Sequence, residues 1–288
     1  MIEKFRGLVL PGRESYRVLD RAETVLLDLT DDGTGERPEV SRGELRQMLL
    51  DSLPDGIVQW GRKVSGVQAL GEGRHELRFT DGSTVLTSLL IGADGAWSRI
   101  RPLLSDATPE YVGVTSVEYF LFDGDTRHRA TAEAVGAGSL FALAPGKGFL
   151  AYRERGGTPH TYVQLKVPQD WLADTDVADG ASVSARVVAE FGGWAPGLTA
   201  LITDSDTALV MRPLYALPVG HRWARVPLIG DAAHLAPPNG EGANTAMPDG
   251  AELGQAIAAH PDDVEVALAE YEQAMFPRAA VADASLAP

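Results

Sequence analysis

The segment from 226 to 253 has the residue types and the spacing of a ligand-binding turn. Four apolar residues predict a strand, and Gly230 and Asp231 follow where that strand would end. Ligands of α/β folds bind at the carboxyl ends of strands, where the Asp231 carboxylate could accept hydrogen bonds from sugar hydroxyl groups. Gly240 and Gly242 would let the backbone approach a flat ring closely.

A helix is predicted to begin at about Gly242, after a loop stiffened by two consecutive prolines. The backbone N–H groups of Gly242, Ala243 and Asn244 would point out of its N-terminus, which stabilises negative charge such as that of a reduced flavin ring. The segment therefore predicts a bound flavin and redox chemistry. The alternative is a plain strand–loop–helix in which Asp231 caps locally, and the combined pattern of Gly, Asp, paired Pro and Gly-x-Gly disfavours it.

A second turn rich in chemically active residues follows another apolar strand. Asp94 and Gly95 stand at the predicted strand end, and Ser98, Arg99 and Arg101 begin the next element. Ser98 could cap that element, and the two arginines could meet phosphates or close a salt bridge to Asp94. For any single residue, a strand end stabilised by an internal ion pair is a strong alternative, but the ordered set favours ligand binding.

The elements that must position these turns can be predicted from apolar periodicity and turn residues. Strand and helix signals alternate at both ends of the chain, whereas the middle is rich in strands and has one helix. This pattern predicts an α/β cofactor-binding part with an inserted mixed-sheet part. The predicted strands include 16–19, 24–29, 57–60, 63–70, 76–80, 84–91 and 226–229. The predicted helices are 42–52, 182–191, 242–260 and a last helix from about 264.

Local signals predict how the helices begin and end. Ser41 and Glu44 have the spacing of a capping box before the first long helix, and Asp262 or Asp263 would cap the last one. Pro248 would be tolerated only within the first turn of its helix, because an interior proline removes a hydrogen bond. Pro277 is predicted to end the regular pattern of the last helix.

The composition excludes several other chemistries. The chain has 288 residues, a formal net charge of −15 and no cysteine. The acidity argues against nucleic acid as a partner, and the lack of cysteine excludes disulfides, thiolate catalysis, iron–sulfur clusters and cysteine-based zinc sites. The N-terminus does not resemble a signal peptide, and no apolar run of about 18 residues occurs. We therefore expect a cytoplasmic protein that binds a small-molecule substrate, not a membrane, as a monomer or weak homodimer.

Two fingerprints resemble those of a known family. GADGAWSRIR, residues 92–101, is similar to the DG fingerprint of class A flavoprotein monooxygenases, the para-hydroxybenzoate hydroxylase-like enzymes. LIGDAAHLAPPNGEGAN, residues 228–244, is similar to their GD fingerprint, and the two come in the family's order. The chain most resembles the tetracycline-inactivating monooxygenase branch, which residues 37–53, 162–171 and 271–276 also resemble.

The resemblance implies an α/β fold. It comprises a three-layer, Rossmann-like FAD-binding part, an inserted mixed β-sheet substrate domain and C-terminal helices. By this match, 41–107 and 215–248 form the FAD-binding part without its first βαβ unit. Residues 7–40 and 108–214 form the substrate-binding part, and 249–288 form the C-terminal helices.

The resemblance also implies an activity, FAD-dependent monooxygenation. NADPH or NADH would reduce FAD, O2 would add at the flavin C4a, and the hydroperoxide would hydroxylate an aromatic or polyketide-like molecule. Arg46 would touch the FAD, Asp231 would hold its ribityl or phosphate region, and Asp94 would support the pyrophosphate side. His234 is expected to pack and hydrogen-bond rather than shuttle protons, and no catalytic residue is assigned. The residues implied to bind the cofactor are Arg46, Asp94, Asp231, Pro238, Gly240, Gly242, Ala243 and Asn244.

One expected family feature does not occur in the sequence. The family holds the ADP half of FAD with a Gly-x-Gly-x-x-Gly turn, and every Gly-x-Gly pair here fails at the third glycine. Either the start is assigned too far downstream or the chain is naturally shortened, and the 288-residue chain alone is then expected to be unstable or flavin-poor. The alternatives are an inactive remnant that acts as a binding module, and a flavin reductase without oxygen insertion. A halogenase is disfavoured because no two tryptophans are two residues apart.

Overall fold

The computed structural model describes residues 1–35, 38–176, 179–207, 210–218, 226–238, 240 and 242–284. Its contacts divide the chain into two compact units. The first unit comprises 1–57 and 113–213, and the second comprises 58–112 and 214–288. The division of the chain into FAD-binding and substrate-binding parts stays a prediction.

The described residues form the following elements. The strands are β1 Tyr16–Leu19, β2 Val25–Leu29, β3 Val64–Gly71, β4 Arg74–Phe79, β5 Thr84–Thr87, β6 Glu110–Phe120, β7 Ser139–Ala144, β8 Lys147–Arg153, β9 Pro159–Lys166 and β10 Val210–Ala216. The helices are α1 Ile2–Arg6, α2 Arg42–Leu50, α3 Gly124–Arg127, α4 Arg129–Val135, α5 Gly180–Glu190, α6 Pro196–Thr203, α7 Asp231–His234, α8 Gly242–Ala259 and α9 Val264–Ala284. The predicted α/β class is confirmed.

The first unit is built on a seven-stranded mixed sheet. The strand order is β10-β6-β9-β8-β7-β1-β2, and β1 runs parallel to β7. Helices α4, α5 and α6 pack against one face and bury apolar side chains such as Val135, Val187 and Leu198. The sheet residues of this core alternate along their strands, because successive side chains of a strand point to opposite faces. They are Leu19, Val117, Tyr119, Leu140, Ala142, Phe149, Ala151, Val163 and Leu165.

The second unit has its own core and a small sheet. Strands β3, β4 and β5 form an antiparallel meander, and a turn that includes residues 81–82 joins β4 to β5. Helix α9 packs on the segment around Leu228, and the Tyr271 hydroxyl donates to the Leu228 carbonyl at 3.0 Å. Burial raises the pKa of Tyr271, so this hydroxyl remains a donor at neutral pH. No helix in the described ranges is long and apolar enough to cross a membrane.

Some predicted helix signals are confirmed and others are wrong. Asp263 caps α9, since its Oδ1 accepts a hydrogen bond from the Val266 N–H at 3.2 Å. The capping box is wrong, because Ser41 makes no side-chain cap bond. The carboxylate of Glu44 instead pairs with Arg155, at 3.2 Å.

Both proline predictions are wrong. Pro248 is the seventh residue of α8, beyond its first turn, and α9 continues through Pro277 to Ala284. Each proline costs one backbone hydrogen bond. The helices continue because apolar residues beyond or beside the prolines, such as Leu253 and Met275, are buried in the core of the second unit.

Several element predictions also fail. Residues 57–60 form bends and the start of a turn rather than a strand, and 226–229 makes only a single bridge at Leu228. The expectation of one helix in the middle is wrong, since α3, α4 and α6 accompany α5. Helix α6 begins with Pro196 at its first position. Proline is common at the first position of helices, so this residue was a helix-start signal in a segment that we predicted to be rich in strands.

Candidate functional site

The two fingerprint turns leave the same small patch of sheet in the second unit. Gly92 and Leu228 form a parallel bridge, in which the Gly92 N–H donates to the Pro227 carbonyl and the Ile229 N–H donates to the Gly92 carbonyl, each at 2.9 Å. A Cβ atom on Gly92 would lie only 2.5 Å from the Leu228 Cδ2 atom, so the close approach requires glycine. The carboxyl ends of both segments therefore lie side by side.

The buried side chain of Arg101 forms hydrogen bonds with both turns. The residue is only 2% exposed, and its Nε donates to the Ala232 carbonyl at 2.9 Å. Its Nη2 donates to the Ala96 carbonyl at 2.8 Å and to the Asp231 carbonyl at 3.3 Å. Burial lowers the pKa of Arg101 from its ordinary 12.5, with Asp94 acting in the opposite direction, and the guanidinium remains charged. Backbone carbonyls thus satisfy this buried cation.

Asp94 makes no salt bridge to Arg99 or Arg101 within the described chain, so the alternative of an internal ion pair is not the one that the structure adopts. The Asp94 Oδ2 atom accepts a hydrogen bond from the backbone N–H of Arg99 at 2.6 Å, and its side chain is exposed. Ser98 is not the N-cap of the short 3-10 helix Arg101–Leu103, which is Ile100, but its hydroxyl accepts from the N–H groups of Ile100 and Arg101 at 3.1 and 2.9 Å. Local bonds therefore shape this turn, and Arg101 is committed to carbonyl groups rather than phosphates.

Asp231 is the first residue of α7, and its side chain is exposed. The preceding Gly230 has a φ of 57°, in the region that favours glycine. The Gly230 N–H donates to the Asp249 carboxylate at 2.9 Å, and the His234 Nε2 lies 2.5 Å from the same oxygen. Asp249 of α8 therefore holds the turn that contains Asp231 in place. The prediction that His234 forms hydrogen bonds is confirmed.

Asp249 is a functional residue that the sequence reasoning missed. It is fully buried, and its second oxygen accepts from Arg278 at 2.8 Å. Burial opposes its ionisation, but bonds from His234 and the Gly230 N–H outweigh this effect and lower the pKa of Asp249. Burial likewise opposes charge on His234, and Asp249 more than compensates, raising the pKa of His234. The available signal was spacing, since position 249 is one turn before the buried Leu253 on α8.

The backbone around the start of α8 is open. Among the described residues, a Cβ atom on Gly240 or Gly242 would meet no heavy atom within 4 Å, and Gly240 has a φ of 87°. Pro238, Ala243 and Asn244 flank these glycines, and positions 239 and 241 lie outside the described residues. An uncrowded backbone and the N-terminus of an 18-residue helix suit a flat, negatively charged ring.

The exposed carboxylate of Asp231 suits hydroxyl groups beside that ring, so the residues present fit a flavin. Arg46, the remaining predicted contact, is exposed on α2 of the first unit. The other predicted contacts all belong to the second unit. The geometry thus places seven of the eight predicted residues on the two turns and the helix start described above.

Comparison with known proteins agrees with this chemistry. A family model described as FAD binding domain matches residues 44–284. Monooxygenase asqM of Emericella nidulans is 30% identical, over 92% of this chain and 75% of its own length. An FAD-dependent urate hydroxylase of Mycolicibacterium vanbaalenii is 31% identical, over 85% of this chain and 62% of its own length.

Solved structures share the fold. Klebsiella pneumoniae HpxO, complexed with FAD and uric acid, superposes with a TM-score of 0.80 at 26% identity, covering 96% of this chain and 71% of HpxO. The tetracycline destructase Tet(51) superposes with a TM-score of 0.68 at 19% identity, covering 97% of this chain and 72% of that protein. The matched family model and the curated relatives establish the conclusion: the chain belongs to the FAD binding domain family and is an FAD-dependent monooxygenase.

Proposed function

We propose that this monooxygenase hydroxylates an aromatic or polyketide-like small molecule, with NADPH or NADH as reductant and O2 as co-substrate. Bound FAD would supply the redox chemistry, accepting electrons from the nicotinamide and activating O2. The observation that carries the proposal is the Arg101 clamp, which holds the Asp94 turn and the Asp231 turn together as one structure. By bonding to carbonyls of both turns, the clamp keeps them side by side, as binding of one shared ligand would require.

The relatives support a ring-shaped substrate. Besides urate hydroxylases, they include a 3-amino-4-hydroxybenzoate 2-monooxygenase of Streptomyces platensis, which is 28% identical over 83% of this chain and 59% of its own length. Urate and aminohydroxybenzoate are both flat rings. A flat, electron-rich ring is therefore the substrate class that we propose for this chain.

We assign the residues of the cofactor site as follows. Asp231 would accept hydrogen bonds from the ribityl or phosphate region, and the α8 N-terminus would stabilise negative charge on the reduced ring. Asp94 would support the pyrophosphate side and Arg46 would contact the cofactor. The residues that would line the ring are Pro238, Gly240, Gly242, Ala243 and Asn244.

The test uses the full chain titrated with FAD. We expect Asp231→Ala to weaken FAD binding about tenfold, the effect of losing one or two hydrogen bonds to a charged group. Asp262→Ala, at an exposed aspartate in the turn between α8 and α9, provides the matched control. Flavin fluorescence measures binding, and equal affinities of the two variants would contradict the assignment of Asp231.

Activity is measured separately, by NADPH consumption in air with a panel of phenols, hydroxybenzoates and heteroaromatic compounds. We expect a product that has gained one oxygen atom from isotopically labelled O2, detected by mass spectrometry. Consumption of NADPH with hydrogen peroxide as the sole product, across the whole panel, would instead establish a flavin reductase without oxygen insertion.

A further inference from the structure

The seven-stranded sheet of the first unit ends in an exposed edge strand, β2. In the strand order of the described chain its neighbour is β1, and the opposite side of its backbone faces outward. All five of its residues are exposed, and four of them are apolar, with exposed fractions between 40% and 64%. These four are Val25, Leu26, Leu27 and Leu29. An apolar edge strand is a ready template for another strand, so natural proteins usually protect such edges with charged residues or proline.

The opposite edge of the same sheet carries this protection. Strand β10 contains Arg212 and Pro213, and five of its seven residues are only partly exposed. Strand β2 contains no lysine, arginine or proline, and its one charged residue, Asp28, pairs with Arg17 at 2.9 Å. The two edges of the sheet therefore differ, and β2 is the one that is suited to pairing with a further strand.

Strand β2 is held in place at both ends although it is exposed. Before the strand, the Asp20 carboxylate accepts hydrogen bonds from the N–H groups of Ala22 and Thr24, each at 2.8 Å. After the strand, the Asp31 carboxylate accepts from the Gly33 N–H at 2.7 Å. These local bonds fix the turns on both sides of β2. A segment that pairs with β2 therefore does not have to order it first, which lowers the entropic cost of binding.

The charges around β2 decide which kind of strand it attracts. Residues 20–32 contain five carboxylates and one cation, Arg21. Asp20 and Glu23 precede β2, and Asp31 and Asp32 follow it. In an antiparallel pair of two β2 strands, the start of one strand would lie beside the end of the other, so these carboxylates would meet and repel each other. A second copy of this chain, with its net charge of −15, is therefore disfavoured, whereas a segment with lysine or arginine at both ends is attracted.

The register of β2 fixes which side chains an added strand would meet. Leu27 lies opposite Val18 of β1, and Val18 lies opposite Phe141 of β7. Leu29 lies opposite Tyr16 in the same way. Directly opposed residues point to the same face of a sheet, so these rows of apolar side chains reach the edge of the sheet at Leu27 and Leu29. An added strand would continue the rows if every second residue were apolar.

We propose that β2 is a docking edge for an extended segment of a partner protein, in which apolar and polar residues alternate and lysine or arginine stands at both ends. The segment would join the sheet as an additional strand, held by hydrogen bonds between the two backbones. The five residues of β2 span about 17 Å, so a segment of similar length suffices. This interaction is separate from hydroxylation, since no residue of β2 belongs to the predicted cofactor contacts.

The experiment measures binding of a fluorescein-labelled peptide, Lys-Lys-Val-Thr-Val-Thr-Val-Lys-Lys, to the full chain by fluorescence anisotropy. We expect this peptide to bind at least about tenfold more tightly than a peptide with glutamate in place of every lysine, because attraction to the carboxylates becomes repulsion. A third peptide is N-methylated at the central valine and at the threonine that follows it. Successive N–H groups of a strand point to opposite sides, so one of these two would face β2, and we expect about tenfold weaker binding.

Protein variants locate the binding edge. Leu27→Lys places a cation in the middle of β2 and should weaken binding of the basic peptide at least about tenfold. The matched control is Leu86→Lys, which makes the same change at an exposed leucine of β5 in the second unit and should leave binding unchanged. Thermal melting shows whether both variants are folded. The N-methylated peptide is tested on the wild-type chain, so that measurement does not depend on the folding of a variant.

Three results would overturn the proposal. The first is a basic peptide that binds no more tightly than the acidic or the N-methylated peptide. The second is a folded Leu27→Lys variant that binds like the wild-type chain, or a Leu86→Lys variant that loses binding instead. The third comes from sedimentation of the chain alone: a wild-type dimer that Leu27→Lys dissociates would assign β2 to a second copy of this chain rather than to a basic partner.

Discussion

The buried guanidinium of Arg101 donates a hydrogen bond to the backbone carbonyl of Ala232, 131 residues further along the chain, at 2.9 Å. The same side chain reaches the Ala96 carbonyl in its own turn. A single cation therefore ties together two motifs that are distant in sequence. Arg101 therefore supports the flavin site by holding the two turns in place. Its side chain is too buried to contact the cofactor itself.

Replacing Arg101 should loosen both turns. We expect Arg101→Met to lower the free energy of unfolding by about 2–3 kcal/mol, because backbone carbonyls lose bonds to a charged donor. FAD affinity should fall with it. Urea unfolding and flavin titration measure the two effects, and Arg78→Gln, an exposed pair with Glu76 on β4, is the control. Normal FAD binding by a folded Arg101→Met variant would show that the clamp is dispensable.

Replacing Asp249 should lower the free energy of unfolding far more than replacing Glu252 on the same helix. Asp249→Asn removes the charge that faces both His234 and Arg278, and we expect a loss of about 3 kcal/mol in unfolding free energy. Glu252→Gln weakens only the partly exposed pair of Arg278 and should cost less than about 1 kcal/mol. Equal losses in the two variants, measured by urea unfolding, would contradict the positioning role of Asp249.

The pair of His234 and Asp249 should make stability depend on pH in two directions. The pKa of His234 is raised from 6.5, so its contribution is complete below pH 6.5 and is lost as pH rises through the folded-state value. The pKa of Asp249 is lowered from 3.8, so its contribution is present above pH 3.8 and is lost as pH falls through the folded-state value.

The measurement is unfolding free energy across these two pH windows. In His234→Gln the decline above pH 6.5 should become shallower, and the acid decline due to Asp249 should be reduced but not lost, because the Gly230 N–H and Arg278 still favour the ionised carboxylate. His260→Gln provides the control, because His260 is more exposed and pairs with Glu270 on the surface. A wild-type alkaline decline that His234→Gln does not alter would disprove the coupling.

The close approach of the two strand ends should be sensitive to a single methyl group. We expect Gly92→Ala to destabilise the protein by about 1–3 kcal/mol, because the added Cβ would lie 2.5 Å from Leu228 Cδ2 and 3.1 Å from Ile100 Cγ2. Gly66→Ala on β3 is the control, since an added Cβ there would meet no heavy atom of the described residues within 4 Å.

A double variant tests the cause of that loss. Leu228→Ala removes the atom that an added Cβ would strike, so its cost in the Gly92→Ala background should be smaller than in the wild-type chain. Thermal or urea unfolding measures the coupling. Strictly additive losses would show that the Gly92→Ala variant is destabilised through a different contact.

The local predictions succeeded where neighbouring residues alone decide the structure. The helices α2 and α8 and the cap at Asp263 follow from periodicity and from hydrogen bonds within one turn. The capping box failed for a reason outside its own turn. Glu44 pairs with Arg155, 111 residues away, and no local pattern indicates that partner.

By itself, the sequence determined the family, the α/β class and the two turns that the flavin site requires, because these depend on short motifs and their order. Only the tertiary structure decided what holds those turns. It gave Arg101 carbonyl partners instead of phosphates or Asp94, buried Asp249 next to Gly230, and assembled the seven-stranded sheet from segments distant in sequence. The physical reason is that burial and hydrogen-bond partners are set by contacts between distant segments, which residue spacing along the chain does not encode.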